Sequence, residues 1–310
     1  MPLLEVEKLE VCFSTKLGGV RAVNGLSFGI EEGETFGLIG ESGSGKSVIG
    51  MSILRLLPKN AHVSGSILFQ ESDLLKMGDR ELQDIRGKKI SLIPQNPTAS
   101  LNPLLKNGEQ ISEVFERQEN ANVKPWKAAI DMMESLLIRN PELSAKSYPH
   151  QLSGGMKQRL VAGIALSLRP KLVVADEPTK GLDSISRERT IDFFKHLNEG
   201  SERSMLLITH DLDLAYNICD RIAVLYAGEI LEMGTAKEIL DSPTHPYTRG
   251  LVHSLPKNGL VPLEGSSPSL LNLPEGCFFH ERCSYQSFEC AKVHPDLKVR
   301  GGRLARCLRL

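Results

Sequence analysis

One octet constrains this chain more than any other stretch: Gly40-Glu41-Ser42-Gly43-Ser44-Gly45-Lys46-Ser47. It follows the apolar run Thr35-Phe36-Gly37-Leu38-Ile39 and precedes the helix-like Val48-Ile49-Gly50-Met51. That is a strand-to-helix turn, the setting in which G-x-x-x-x-G-K-[ST] holds phosphate. Glycines let the backbone wrap closely around a polyphosphate, and the helix start at Val48 offers unpaired N–H groups with a favourable dipole. The spacing puts Lys46 on the β- and γ-phosphates of a nucleoside triphosphate and Ser47 on Mg²⁺. A chance glycine-serine turn would lack the flanking strand and helix.

At 310 residues the chain is long enough for a large core plus an appendage. A net charge of -1 argues against a global basic field, so nucleic acid is not an expected partner. Arg300, Arg303, Arg306 and Arg309 leave room for a local basic patch. No apolar run approaches the roughly 20 residues that span a bilayer. The opening Met1-Pro2-Leu3-Leu4-Glu5 lacks the character of a signal peptide, so a cytoplasmic location is expected.

Alternating patterns over residues 3–13 and 20–30 predict an antiparallel pair of strands, with Phe13 near the end of the first. Phe13 is a core residue or stacks on a nucleotide base. After the phosphate loop, strands are predicted at Ser66–Phe69 and Lys89–Pro94, with a helix over Asp79–Ile85 between them. From Asn96 to about Ala165 the pattern is helical and broken by prolines, which reads as an insertion into an α/β core. The core resumes with strands at 171–177 and 204–209, then a pair turning at Ala227-Gly228. Strands alternating with helices predict a largely parallel, covered sheet whose ligands sit at the carboxyl ends of strands. Gln95, Asp176, Glu177 and His210 each end such a strand. The core is expected over 1–243, and a proline- and serine-rich extension over 244–310.

Asp176 and Glu177 close an apolar strand as a Walker B pair does. The first carboxylate suits Mg²⁺ and the second suits polarising an attacking water. Buried paired carboxylates are costly without a metal or a shared proton, which disfavours a purely structural role. Gln95 both donates and accepts, so it can contact Mg²⁺ and water; His210 can donate to a γ-phosphate. Leu152-Ser153-Gly154-Gly155-Met156-Lys157-Gln158-Arg159 opens an apolar helix, a second helix N-terminus suited to phosphate.

That octet resembles the signature of ABC ATPases, and Gly181-Leu182-Asp183 resembles their D-loop. Pro94-Gln95-Asn96-Pro97, Tyr148-Pro149-His150-Gln151 and His245-Pro246-Tyr247-Thr248-Arg249-Gly250-Leu251 look like the dipeptide/oligopeptide/nickel importer branch. The resemblance implies an α/β P-loop ABC ATPase core with an antiparallel β subdomain and a helical subdomain over about 96–165. It further implies ATP and Mg²⁺, held by Ser47, Gln95 and Asp176, with Glu177 as general base and His210 at the γ-phosphate. Ser153, Gly154, Gly155 and Gln158 complete the ATP site of a homologous partner subunit, with Asp183 in the D-loop. Two transmembrane permease subunits, and an extracytoplasmic binding protein acting indirectly, complete the implied assembly on the inner face of the membrane. Lys180-Gly181 stands where many relatives have Thr-Ala, which loosens that loop.

Six cysteines are unevenly placed. Cys12 and Cys219 sit in apolar patterns and are expected to be buried. Cys277, Cys283, Cys290 and Cys307 form C-x5-C-x6-C-x16-C near the end of the chain. In a reducing compartment such a cluster reads as metal ligation, and four thiolates suit Zn²⁺ or an iron–sulfur cluster alike. The tail is similar to the cysteine extension of oligopeptide and dipeptide importers, which implies a [4Fe-4S] cluster, with Zn²⁺ the alternative. A competing reading is a soluble ABC ATPase of DNA repair whose cysteine module grips nucleic acid, distinguished by DNA-stimulated, salt-sensitive activity. A third is an ATPase of iron–sulfur assembly.

Overall fold

Strands β1 (Leu4–Thr15) and β2 (Gly18–Ile30) pair antiparallel across the Lys16-Leu17 connection. The computed structural model describes residues 2–117, 124–198 and 203–310. Leu4, Val6, Leu9 and Val11 are buried along β1. The alternation skips a step between Val6 and Leu9, where the pairing with both neighbours shifts register and Lys8 has φ 45°. A bulge there keeps the apolar set on one face through a strand twelve residues long. The next strand, β3 (Thr35–Ile39), is buried at every position and leads into the helix Lys46–Ile53. β4 (Ala61–Phe69) starts five residues earlier than the sequence pattern shows and pairs antiparallel with β1 and with the two-residue β5 (Ser72–Asp73). The antiparallel sheet therefore runs β2-β1-β4-β5.

Residues 78–205 form a compact unit of their own. Its helix Asp79–Ile85 leads to β6 (Ile90–Ile93), followed by helices Pro97–Ser100, Asn107–Glu116, Pro125–Ser135, Pro141–Lys146 and Gly154–Leu166. Small residues allow these helices to approach closely. A Cβ at Gly108 would lie 2.8 Å from the Trp126 ring and 2.9 Å from Ala145. β7 (Leu172–Asp176) pairs parallel with β6, and its first four residues are wholly buried, as a strand covered on both faces requires.

The chain from Leu206 onward belongs to the same unit as the residues up to Met77. β8 (Ser204–Thr209), β9 (Arg221–Tyr226), β10 (Glu229–Thr235), β11 (Lys298–Arg300) and β12 (Arg303–Ala305) build a second sheet in the order β11-β12-β10-β9-β3-β8. β3 and β9 run parallel, whereas β10 is antiparallel to both β9 and β12. The last thirty residues thus add strands to the sheet that carries the phosphate loop, whereas the sequence marks 244–310 as an extension beyond the core. The extension also holds a helix, Pro246–His253, whose first residue is a proline at the position where a missing N–H costs nothing. Arg303 and Arg306 contribute little to a basic surface, because their side chains are only 17% and 14% exposed and lie beside Glu232 and Glu229, at 3.8 and 3.9 Å. Among the described residues no helix is long and apolar enough to cross a membrane.

Candidate functional site

The phosphate loop leaves β3 through Gly40 at φ 151° and enters its helix through Gly45 at φ 100°. Both glycines are demanded by close backbone. A Cβ at Gly40 would sit 2.2 Å from Leu225 O, and one at Gly45 would sit 2.4 Å from Ala22 O. Gly43 also has positive φ, at 83°, but nothing lies within 4 Å of its missing side chain. β9 and its turn brace the loop from one side, with the Gly228 N–H donating to Ser44 O at 3.0 Å. Asn24 holds that turn through Ala227 O at 2.9 Å.

Lys46 is only 5% exposed, and its Nζ donates to Gly40 O at 2.7 Å and Glu41 O at 2.8 Å. The ammonium is thereby aimed across the loop, where the phosphates of a bound nucleotide would lie. Ser42, Gly43 and Ser47 are exposed and Val48 half-buried, so the loop is open on one side. His210 follows β8, the neighbour of β3 in the sheet, and is exposed. Phe13 is half-buried on β1, opposite Val20 and Ala61.

Glu41 carries a set of partners that the sequence reading misses. Its N–H donates to Tyr247 Oη at 3.0 Å, and its carboxylate accepts from Ser267 Oγ at 3.0 Å. Arg282 binds both carboxylate oxygens, each at 2.9 Å. Burial alone would raise the Glu41 pKa; the hydrogen bonds from Arg282 and Ser267 and the charges of Arg282 and Lys46 outweigh it and hold the carboxyl below its usual value. Tyr226, Tyr247 and Phe279 pack ring on ring behind this pair, with centroids 4.7 to 5.4 Å apart. Tyr247 and Arg282 lie in the importer-like segments of the sequence, which was the one signal available for them.

The remaining catalytic candidates belong to the unit 78–205. Parallel pairing of β6 and β7, with Ile93 opposite Ala175, brings Gln95 and the Asp176–Glu177 pair to the same edge of that strand pair. Asn96 caps the next helix by accepting from the Thr98 and Ala99 N–H groups, both at 3.1 Å, which fixes the chain just after Gln95. Asp176 is half-buried and Glu177 is 5% exposed. Glu177 also has φ 49°, a left-handed backbone that a glutamate adopts only where its surroundings impose it. Strain at a buried carboxylate on a strand end suits a group that must be held in one direction. Gln95 and Asp176 both carry oxygen donors of the kind Mg²⁺ takes.

Ser153 caps the helix Gly154–Leu166, its Oγ accepting from the Met156 N–H at 3.4 Å. Gly155 has no atom within 4 Å of where a Cβ would stand, so this helix start is open to a ligand from outside. Gln158 is buried, at 3% exposure, and its Nε2 has no hydrogen-bond partner. It therefore faces the interior of its unit and is not presented outward like Ser153 and Gly154. Asp183 is exposed, and the side chain of Leu182 lies 3.9 Å from the Cβ position of Gly154.

The cysteines depart from expectation in two ways. Cys219 is buried, and burial drives its thiol pKa strongly up, but Cys12 is only half-buried, because the end of β1 lies at the rim of its sheet. Among the described residues, no three His, Cys, Asp or Glu side chains are disposed to hold a metal ion. Cys277, Cys283, Cys290 and Cys307 do share one electrostatic neighbourhood. Burial, followed by the proximity of the other three thiols, pushes Cys277 up to about 11. Ser287 Oγ lies 3.3 Å from Cys290 Sγ, and the Arg309 N–H donates to Cys307 Sγ at 3.4 Å.

Residues 23–180 match the ABC transporter family, and residues 231–290 match the oligopeptide/dipeptide transporter C-terminal region. The chain is 43% identical over 306 residues to the dipeptide transport ATP-binding protein DppD of Bacillus subtilis, covering 96% of this chain and 91% of that one. It is 37% identical over 313 residues to the oligopeptide transport ATP-binding protein OppD of Escherichia coli, covering 99% and 93%. Among solved structures it is similar to the ATP-binding cassette MJ0796 in a dimeric, post-hydrolysis state bound to ADP and Pi, with a TM-score of 0.67 and 26% identity over 75% of this chain and 98% of that one. With a phosphate loop, a strained strand-end glutamate and a capped signature helix in place, the chain belongs to the ATP-binding proteins of oligopeptide and dipeptide ABC transporters and is an ABC-type ATPase.

Proposed function

We propose that this chain powers the import of peptides by binding and hydrolysing ATP at the cytoplasmic face of a membrane. The observation that carries the reading is similarity to peptide-transport ATP-binding proteins along almost the whole chain, the C-terminal region included. In this reading Gly40–Ser47 and Val48 hold the triphosphate, Phe13 stacks on the base, and Ser47, Asp176 and Gln95 hold Mg²⁺. Glu177 accepts a proton from the attacking water, and His210 donates to the γ-phosphate. Ser153, Gly154 and Gly155 serve the ATP site of a homologous partner subunit, with Gln158 supporting that helix and Asp183 lying at the dimer seam. ATP then favours a closed pair of subunits because it bridges both, and hydrolysis removes the bridge. Two permease subunits convert that closure into transport of a solute supplied by an extracytoplasmic binding protein.

Ligation of a [4Fe-4S] cluster, or of Zn²⁺, by Cys277, Cys283, Cys290 and Cys307 belongs to the same proposal. It is supported by the grouping of the four thiols, which act electrostatically on one another at Cys277 and Cys283. Anaerobic purification with iron, sulfide and zinc analysis tests it, and a chain free of all three would refute it.

The transport reading is tested in the native cell with Glu177→Gln. The variant is expected to bind ATP, to lose turnover and to abolish uptake of labelled di- and oligopeptides. Loss of nickel uptake with peptide uptake intact would overturn the peptide assignment, and retained hydrolysis would remove Glu177 from its role.

A further inference from the structure

We propose that Arg282 is a positioning residue of the ATP site, fixing and neutralising Glu41 so that the cysteine-bearing C-terminal segment becomes part of nucleotide binding. The inference rests on the reading of Gly40–Ser47 as the site of ATP.

A carboxylate beside bound phosphates is an electrostatic problem. Glu41 immediately follows the first glycine of the loop, and its own carbonyl accepts from Lys46, the residue that must turn to the phosphates. Unpaired, its side chain would repel a triphosphate and compete with it for the lysine. Arg282 removes both effects. Its guanidinium meets the carboxylate as a two-pronged fork, Nη1 to Oε2 and Nη2 to Oε1 at 2.9 Å each. The fork is itself held: Nε donates to Glu264 O at 2.9 Å, and the guanidinium carbon lies 5.6 Å from the Tyr226 ring centre and 6.0 Å from that of Phe279. The arginine side chain is only 5% exposed, so solvent screens this pair little. All of these groups lie in one compact unit.

The location of Arg282 gives the contact its meaning. It ends the short turn His280–Arg282, between Cys277 and Cys283. That turn is closed by the Arg282 N–H on Phe279 O and the Cys283 N–H on His280 O, both at 3.1 Å. The path of the cysteine segment therefore decides where the guanidinium stands, and the guanidinium decides where Glu41 stands.

A double-mutant cycle on the full-length chain tests the proposal, with binding of a fluorescent ATP analogue in Mg²⁺ as the readout. Arg282→Met should weaken binding about tenfold, the effect of one uncompensated charge several ångströms from phosphate. In a Glu41→Gln background the same substitution should change affinity by less than about twofold, because no stray charge is then released. Arg282→Lys keeps the charge and loses the fork, so it should lie between the two, about threefold weaker. It carries the same cycle if the methionine variant does not fold. An arginine that only supports the fold would weaken binding equally in both backgrounds. That result, or unchanged affinity in Arg282→Met, overturns the proposal. Absence of binding by the unmodified chain would instead overturn the ATP-site reading on which it rests.

Discussion

Two glycines of the phosphate loop should respond differently to the same added methyl group. Gly43 and Gly45 both have positive φ, at 83° and 100°, so alanine is strained at either, by about 1–2 kcal/mol. They differ in what the new Cβ meets. At Gly43 there is nothing within 4 Å, whereas at Gly45 Ala22 O lies 2.4 Å away and Gly228 Cα 3.6 Å away. That oxygen belongs to the backbone of β2 at Ala22, which the pairing with β1 skips between Arg21 and Val23, and it is main chain rather than a flexible side-chain end, so the clash is relieved only by a backbone shift of strand or loop. Forcing such a shift in packed structure adds about 1–3 kcal/mol. Gly45→Ala should then cost about 2–5 kcal/mol and Gly43→Ala about 1–2 kcal/mol. At about 2 °C per kcal/mol for a chain of this size, thermal midpoints should fall by roughly 4–10 °C and 2–4 °C. The assay is thermal unfolding of the nucleotide-free chain, which isolates the backbone effect from lost ATP contacts. Equal destabilisation by the two substitutions, or a larger effect at Gly43, would refute the assignment of Ala22 O as the obstacle.

Two further outcomes follow from local geometry. Ser153→Ala removes the cap of the signature helix and should cost about 1 kcal/mol of stability; ATP binding by the isolated chain should be unchanged while ATPase activity of the assembled transporter falls, and weakened binding in isolation would contradict its role at a partner's site. His294 bonds Glu229 Oε1 through Nε2 and Gly276 O through Nδ1, each at 2.9 Å, so both nitrogens face acceptors. The hydrogen bond to Glu229 raises its pKa against the opposing effects of burial and of Arg306. A raised folded pKa gives stability that is complete below the unfolded value of about 6.5 and lost as pH rises through the folded one. The thermal midpoint should therefore decline above about pH 6.5 in the unmodified chain more than in His294→Gln; parallel profiles would show that the pair contributes nothing.

The elements carrying chemistry were legible because each is a local pattern. Gly40–Ser47, the Asp176–Glu177 strand end and the Ser153 cap combine residue types whose conformation is settled within a few neighbours, and the structure shows each in the expected element. The strand pair β6 and β7 was legible for a related reason, since continuous apolar runs allow little except covered, parallel strands. The strand extensions were not, because β4 begins in the polar stretch Ala61–Ser66, whose pairing with β1 no period announces. The proline- and serine-rich composition of 244–310 marks no helix, yet Pro246 opens one. The cysteines show the limit most plainly. Their spacing says four sulfurs can meet, but whether they meet as ligands depends on burial and backbone path, and burial pushes the Cys277 thiol up to about 11.

By itself the sequence determined the phosphate loop, the carboxylate pair, the signature helix and hence the class of reaction, since the backbone conformations and short hydrogen bonds behind them are properties of contiguous residues. Only the tertiary structure decided that the C-terminal segment joins the sheet bearing the phosphate loop, and that Arg282 closes on Glu41 from 241 residues away. An arginine carries its charge in the sequence but not its partner. The partner is selected by the course of the chain, and that course is fixed by the burial of Tyr226, Tyr247 and Phe279 together, a packing that no local pattern records.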